Sequence, residues 1–134
     1  MRFLIAGIVA AAVSWVGNRA AIKLMGTKAI AFLSPLLEEL AKSGSAVILD
    51  SPMVLTHGVF GLIEALYDAR HAGIRGIEAG LISILGHLFY GYITYQVLHK
   101  HNSFLFGIFA GYLIHMLWNI AAMKFAVKER KSSK

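Results

Sequence analysis

The sequence predicts an all-α fold: a polytopic membrane helical bundle of about five transmembrane helices, built as one domain over residues 1–134. Three observations predict it. The chain is 57% hydrophobic and only 15% charged, where a soluble domain typically carries about 25% charged residues. The apolar excess is spread along the whole length, giving a positive mean hydropathy. Short connections near Gly26, Pro52, Gly73 and Asn102, three of the four with basic residues, separate the apolar runs.

The charge pattern narrows the function classes. A formal charge of +6 arises largely from basic residues at the ends of apolar runs, with Lys124, Lys128, Arg130, Lys131 and Lys134 crowding the C-terminal end. That is the pattern of a membrane flank near anionic lipid, and nucleic acid is not an expected partner. With no cysteine in the chain, disulfides and thiolate metal sites are excluded.

The elements follow in order. Span A begins near Phe3 and continues toward Met25, with Gly26-Thr27 as a break because glycine ends helices at little cost. Arg19 and Lys23 follow its apolar run and no clean small-x-small site precedes a mature domain, so an uncleaved first span is expected rather than a signal peptide. Span B opens near Lys28 and runs toward Leu49, interrupted by Pro35 and by Ser43-Gly44-Ser45. Pro35 removes a backbone donor and is expected to bend the helix just before Glu38.

Asp50-Ser51-Pro52 forms a turn, with Pro52 well placed to open a helix. Span C covers Pro52 to about Ala69, and residues 70–76 form a polar connection. Span D runs from about Ile77 to Leu98, residues 99–103 turn, and span E runs from Phe104 to about Phe125. Spans B, D and E each approach the ~20 residues that cross a bilayer core, while C leans on its flanks. Gly76 with Gly80, and Gly107 with Gly111, lie at a helical spacing that allows close packing of neighbouring helices.

Basic residues alternate between connections. Arg19, Lys23 and Lys28 lie between A and B, and Arg70 and Arg75 between C and D. The B–C turn has none, and the D–E turn only Lys100. The positive-inside rule then places this multi-pass protein in the cell membrane, N-terminus out and C-terminus cytoplasmic, in contact with the lipid bilayer.

Polar residues at membrane depth mark the candidate site. Glu38 and Glu39 lie about ten residues in from Lys28, His87 about ten in from Ile77 and His115 about nine in from Lys124 (rise from). Glu64 and Asn119 are shallower, about five residues in (rise from). These six groups fall in two neighbouring layers. Ionisable groups at this depth are expensive unless paired or hydrated, which makes them functional-site candidates. His115 and Asn119 share a helix face, and Lys42 is one turn from both glutamates.

Such a layer suits activation of water. A carboxylate in a low-dielectric pocket is a stronger base than in water, a nearby histidine shares the proton, and a second His with an Asn donates to an oxyanion. Ser83 lies one turn from His87, with no third group to orient it as a nucleophile. The plainer reading is that buried His and Asn side chains only join helices by hydrogen bonds. His57, on the outer half of span C, reads as a polar contact, and His71, His99 and His101 as solvated residues of connections.

At this point the motifs resemble a known set. Glu38-Glu39-Leu40-Ala41-Lys42 matches E-E-x-x-K, Phe60 to Glu64 matches F-x-x-x-E, Gly86-His87 resembles a G-H segment, and His115 to Asn119 matches H-x-x-x-N. Their order and spacing resemble the PrsW family of intramembrane proteases. That family is similar to the CAAX-protease and bacteriocin-processing group and to Aph-1, the gamma-secretase scaffold subunit. The resemblance implies a glutamic-type peptidase that hydrolyses peptide bonds of membrane-embedded substrates without a cofactor. It carries Glu38, Glu39, Glu64, His87, His115 and Asn119 over as site residues. The expected partner is a transmembrane protein or peptide substrate. Two departures stand out: Ala65 follows Glu64 where the family often has Asn, and five spans are fewer than relatives usually have. A chain this short works alone, or encloses its pocket with a partner or a second copy.

Two other readings remain open. One is a non-catalytic membrane scaffold whose polar layer glues helices. The other is a metalloprotease with zinc held by His87, His115 and a glutamate, although no H-E-x-x-H is present.

Overall fold

The computed structural model describes the backbone of residues 1–132 and the side chains of residues 1–125 except Arg75. It is all-α, as expected. The helices are α1 (Arg2–Met25), α2 (Lys28–Ala31), α3 (Leu33–Ile48), α4 (Met53–His101) and α5 (Phe104–Ser132). The C-terminal basic residues Lys128, Arg130, Lys131 and Lys134, which supported the orientation, lie outside the described side chains.

α1 ends where expected, at Gly26, whose φ of 62° and ψ of −150° suit glycine and whose N–H bonds the Ile22 carbonyl at 2.8 Å. The break expected at Pro35 falls instead at Phe32, between α2 and α3. Pro35 sits in the first turn of α3, where its missing N–H has no intrahelical partner to lose. The helix therefore restarts there rather than bends. Ser43-Gly44-Ser45 does not interrupt α3, which continues to Ile48.

The connection expected over 70–76 is present but short. α4 is two helices that meet at one non-helical residue, Gly73, with φ 60° and ψ −135°, where the chain reverses. Its two arms, 53–72 and 74–101, pack back to back. A Cβ on Gly76 would run into the Asp68 carbonyl, one on Gly80 would lie 2.8 Å from the Ala65 Cβ, and one on Gly91 would lie 2.8 Å from the His57 ring. The close-packing role expected of Gly76 and Gly80 is thus met inside a single hairpin. Gly73→Ala is expected to cost about 1–3 kcal/mol, because an L-residue is strained at that φ/ψ. Gly44→Ala, mid-helix in open space, should instead stabilise by about 0.5–1 kcal/mol. Thermal unfolding in detergent compares the two.

The number of spans needs correcting. Among the described residues, three stretches are long and apolar enough to cross a membrane: Arg2–Met25, Gly76–His101 and Phe104–Phe125. The five expected spans included two that fall short. α3 has 16 residues, about 24 Å of helix against a ~30 Å hydrocarbon core. It also carries Glu38, Glu39 and Lys42. The first arm of α4 carries Glu64, Asp68 and Arg70. Among the described residues, α3 touches every other helix, so this short, charged segment lies at the centre of the bundle.

The result is polar inside and apolar outside. Glu39, Lys42, Thr56, His57 and Thr94 are fully enclosed, while Ile48, Leu105 and Leu85 are 82%, 73% and 68% exposed. Exposed apolar surface of this extent belongs against lipid. The chain has the helices and the surface of a membrane protein.

Candidate active site

α3 supplies the centre of the site because residues 38/39, 42 and 46 recur at helical spacing on its buried face. Lys42, fully enclosed, donates to Glu39 Oε1 at 2.6 Å and to His87 Nδ1 at 2.9 Å, with its ammonium 4.7 Å from the centre of the Phe60 ring. An ammonium has donors and no acceptor. His87 Nδ1 is therefore the acceptor, and the proton of the neutral ring sits on Nε2. That N–H donates to Glu64 Oε2 at 2.7 Å, and the Ser83 hydroxyl donates to the same oxygen at 2.6 Å. Ser83 and His87 are one turn apart on the second arm of α4, and Glu64 faces both from the first. The group missing beside Ser83 in the sequence is Glu64, which the hairpin brings across.

His115 comes from α5. Its Nδ1 donates to Glu39 Oε1 at 3.0 Å, which leaves Nε2 pointing at Glu38 Oε2, 3.7 Å away. Tyr90 stacks on this imidazole with ring centroids 4.6 Å apart, and His87 meets it edge-on at 5.2 Å. The aromatic rings fix both histidines against rotation.

The two adjacent glutamates end in different surroundings. Glu39 is enclosed and bonded to Lys42 and His115. Glu38 accepts one bond, from Asn18 Nδ2 at 2.8 Å, and its Oε2, itself buried, has no hydrogen-bond partner among the described residues. Glu38 also forms part of the wall of a cavity of about 900 Å³ between α1 and the first arm of α4, together with Trp15, Asn18, Phe60, Glu64 and Asp68. Glu64, with a side chain 40% exposed, links the buried network to this space. Most of the wall is apolar, with Ile8, Ala11 and Ile63 among its residues.

Five of the six site residues read from the sequence meet here: Glu38, Glu39, Glu64, His87 and His115. Asn119 does not. Its amide donates to the Ile30 carbonyl at 3.0 Å, tying α5 to α2 away from the network. His57, read as a mere polar contact, is fully enclosed with Nε2 3.3 Å from Ser43 Oγ and Nδ1 3.7 Å from Glu39 Oε2. The signal for it was present: His57, Phe60, Gly61 and Glu64 recur at three- and four-residue spacing on one helix face. Asn18 gave no comparable signal, since its role depends on how α1 packs on α3.

The donor set bears on zinc. Glu38, His87 and His115 each offer a ligand atom, all within 4.8 Å of one another. Ligand atoms on a tetrahedral zinc lie about 3.4 Å apart. Both ring nitrogens of His87 are already engaged, by Lys42 and Glu64. A dication would have to displace one of them and sit beside a buried ammonium. The residue count fits zinc, but the chemistry around His87 does not. Comparison with protein-family models, with curated proteins and with solved structures finds no match for the chain.

Proposed function

We propose that this chain is an intramembrane peptidase of the PrsW kind that cleaves membrane-embedded protein or peptide segments with a glutamate-activated water. The observation that carries the reading is Glu38: a carboxylate with one unpartnered oxygen, in the wall of an apolar cavity, facing a histidine nitrogen. Motif order along the chain supports the same family. The topology that goes with it places the N-terminus outside and the C-terminus in the cytoplasm of a cell-membrane protein, following the basic connections.

The roles follow from the contacts. A substrate segment lies in the cavity between α1 and α4 with its carbonyl near Glu38. Glu38 takes a proton from water as the oxygen attacks the carbonyl carbon. The proton passes to His115 Nε2, and the imidazolium, held at Nδ1 by Glu39, stabilises the oxyanion. His115 then returns the proton to the leaving nitrogen as the C–N bond breaks. Glu39 and Lys42 orient the histidines, as the third member of a triad does. Glu64 lines the cavity, and His87 holds it from behind through Nε2. Asn119 is a brace between α5 and α2 in this scheme, and no step runs through a metal.

The test uses the purified protein in liposomes with a fluorogenic transmembrane peptide. His115→Ala should lower kcat by at least about a hundredfold, the usual size of a lost general acid–base. Activity should persist in protein that elemental analysis shows to be free of zinc. If wild type cleaves nothing, and His115→Ala changes only thermal stability, the scaffold reading replaces this one.

A further inference from the structure

The face of Glu39 turned away from Lys42 and His115 meets a second group of polar atoms that the scheme above does not use. Glu39 Oε2, His57 Nδ1 and Thr94 Oγ1 are all buried and have no hydrogen-bond partner among the described residues. They come from α3 and from both arms of α4, and all three residues are fully enclosed. Buried polar atoms left unpaired in this way are rare and call for an explanation. Oε2 and Nδ1 are 3.7 Å apart, too far for a hydrogen bond between them.

Gly111 of α5 borders the same space. A Cβ there would fall 3.0 Å from Glu39 Oε2 and directly against Thr94 Oγ1. Glycine thus lets the α5 backbone close on Glu39 Oε2 and Thr94 Oγ1, and His57 Nδ1 lies 3.7 Å from the same Oε2. We propose that Glu39, His57 and Thr94 bind one sealed water molecule beside Gly111, and that His57 and Thr94 are positioning residues for the Glu39 carboxylate.

The hydrogen-bond count supports a water. A carboxylate paired with Lys42 only accepts, so the water donates one proton to Glu39 Oε2. It donates the other to His57 Nδ1 and accepts the Thr94 hydroxyl proton. Three bonds satisfy three orphaned atoms, the number a buried water typically makes. The arrangement fixes His57 as the Nε2–H tautomer, donating to Ser43 Oγ at 3.3 Å. It also locks the carboxylate plane. Glu39 Oε1 holds His115 Nδ1, so a locked Glu39 keeps His115 Nε2 aimed at Glu38. A cation is a poorer occupant, because the Lys42 ammonium already neutralises this carboxylate. The water site stands whether or not the chain cleaves peptides.

The experiment begins on the wild-type protein. Crystals grown from a lipid mesophase should show ordered density within about 3.2 Å of all three atoms, the outer limit of a hydrogen bond. Histidine-selective ¹⁵N NMR in nanodiscs, with the His57 signal assigned by its loss in His57→Gln, should report the Nε2–H tautomer. An Nδ1–H tautomer or an imidazolium, or a well-resolved site without density, overturns the proposal. Thr94→Val keeps the shape and removes the hydroxyl. It should abolish the density, and in a cleaving enzyme lower kcat by about ten- to a hundredfold with KM unchanged, as expected for a misaimed group. Unchanged kcat in that variant overturns the positioning role. If wild type does not cleave at all, the peptidase reading fails, while density and tautomer still decide the water site.

Discussion

Glu38→Gln is expected to lower turnover of a transmembrane peptide by about a thousandfold, within the range of a lost general base, while the protein keeps its fold. The amide is nearly isosteric and retains an oxygen to accept from Asn18, so the one contact Glu38 makes survives. What it loses is the basic oxygen that has no protein partner. Glu39→Gln, the same chemical change one residue along, should behave in the opposite way. It leaves the Lys42 ammonium enclosed without its carboxylate, and breaking one side of a buried pair costs about 3–5 kcal/mol. Glu39→Gln should therefore lose activity through loss of structure, seen as a large drop in melting temperature in detergent. Equal kinetic and thermal behaviour of the two variants would sink the division between base and anchor.

Lys42→Met is the second large effect. The thioether fills much of the lysine stem's volume, but it strands the Glu39 carboxylate and leaves His87 Nδ1 without a donor. A loss of about 3–5 kcal/mol is expected, read from denaturant unfolding in mild detergent. The double variant Lys42→Met with Glu39→Gln removes both charges and should regain a substantial part of that loss, since replacing a buried pair by neutral groups of similar size is often close to neutral. The recovery is a coupling energy and measures the pair directly. Additive losses in the double variant would mean that the two residues act separately, against the 2.6 Å contact.

How much of this was legible in the chain differs residue by residue. Glu38, Glu39, His87 and His115 were traceable because depth along a helix follows from counting at about 1.5 Å per residue. Glu64 came with them through its position after Phe60. Asn119 met the same criteria and ended outside the network, with its amide on the Ile30 carbonyl. Counting gives depth but not the identity of the helix on each side. His57 failed the depth criterion, being on the outer half of its span, yet it reaches within 3.7 Å of Glu39. Gly91 makes that possible, because a side chain there would collide with the His57 ring. The surplus of expected spans has a related cause. Leu40, Val47 and Ile48 of α3 face outward while Glu38, Glu39 and Lys42 face inward. Hydropathy summed along a segment registers the apolar face without showing that the helix is too short and too charged to span.

By itself the sequence determined the helical class, the membrane setting, the glycine break at Gly26, and the set of residue types that share two neighbouring depths. These follow from composition, from φ/ψ limits and from helical rise, all of which are local. Only the tertiary structure decided which of two adjacent carboxylates is paired with Lys42 inside the bundle and which lines the cavity. Glu38 and Glu39 differ by about 100° around the helix axis, and nothing in α3 alone favours either direction. Lys42, on the same helix, lies within reach of both. The choice comes from the neighbours: α5 brings His115 Nδ1 to Glu39, and α1 brings Asn18 to Glu38 beside the open cavity.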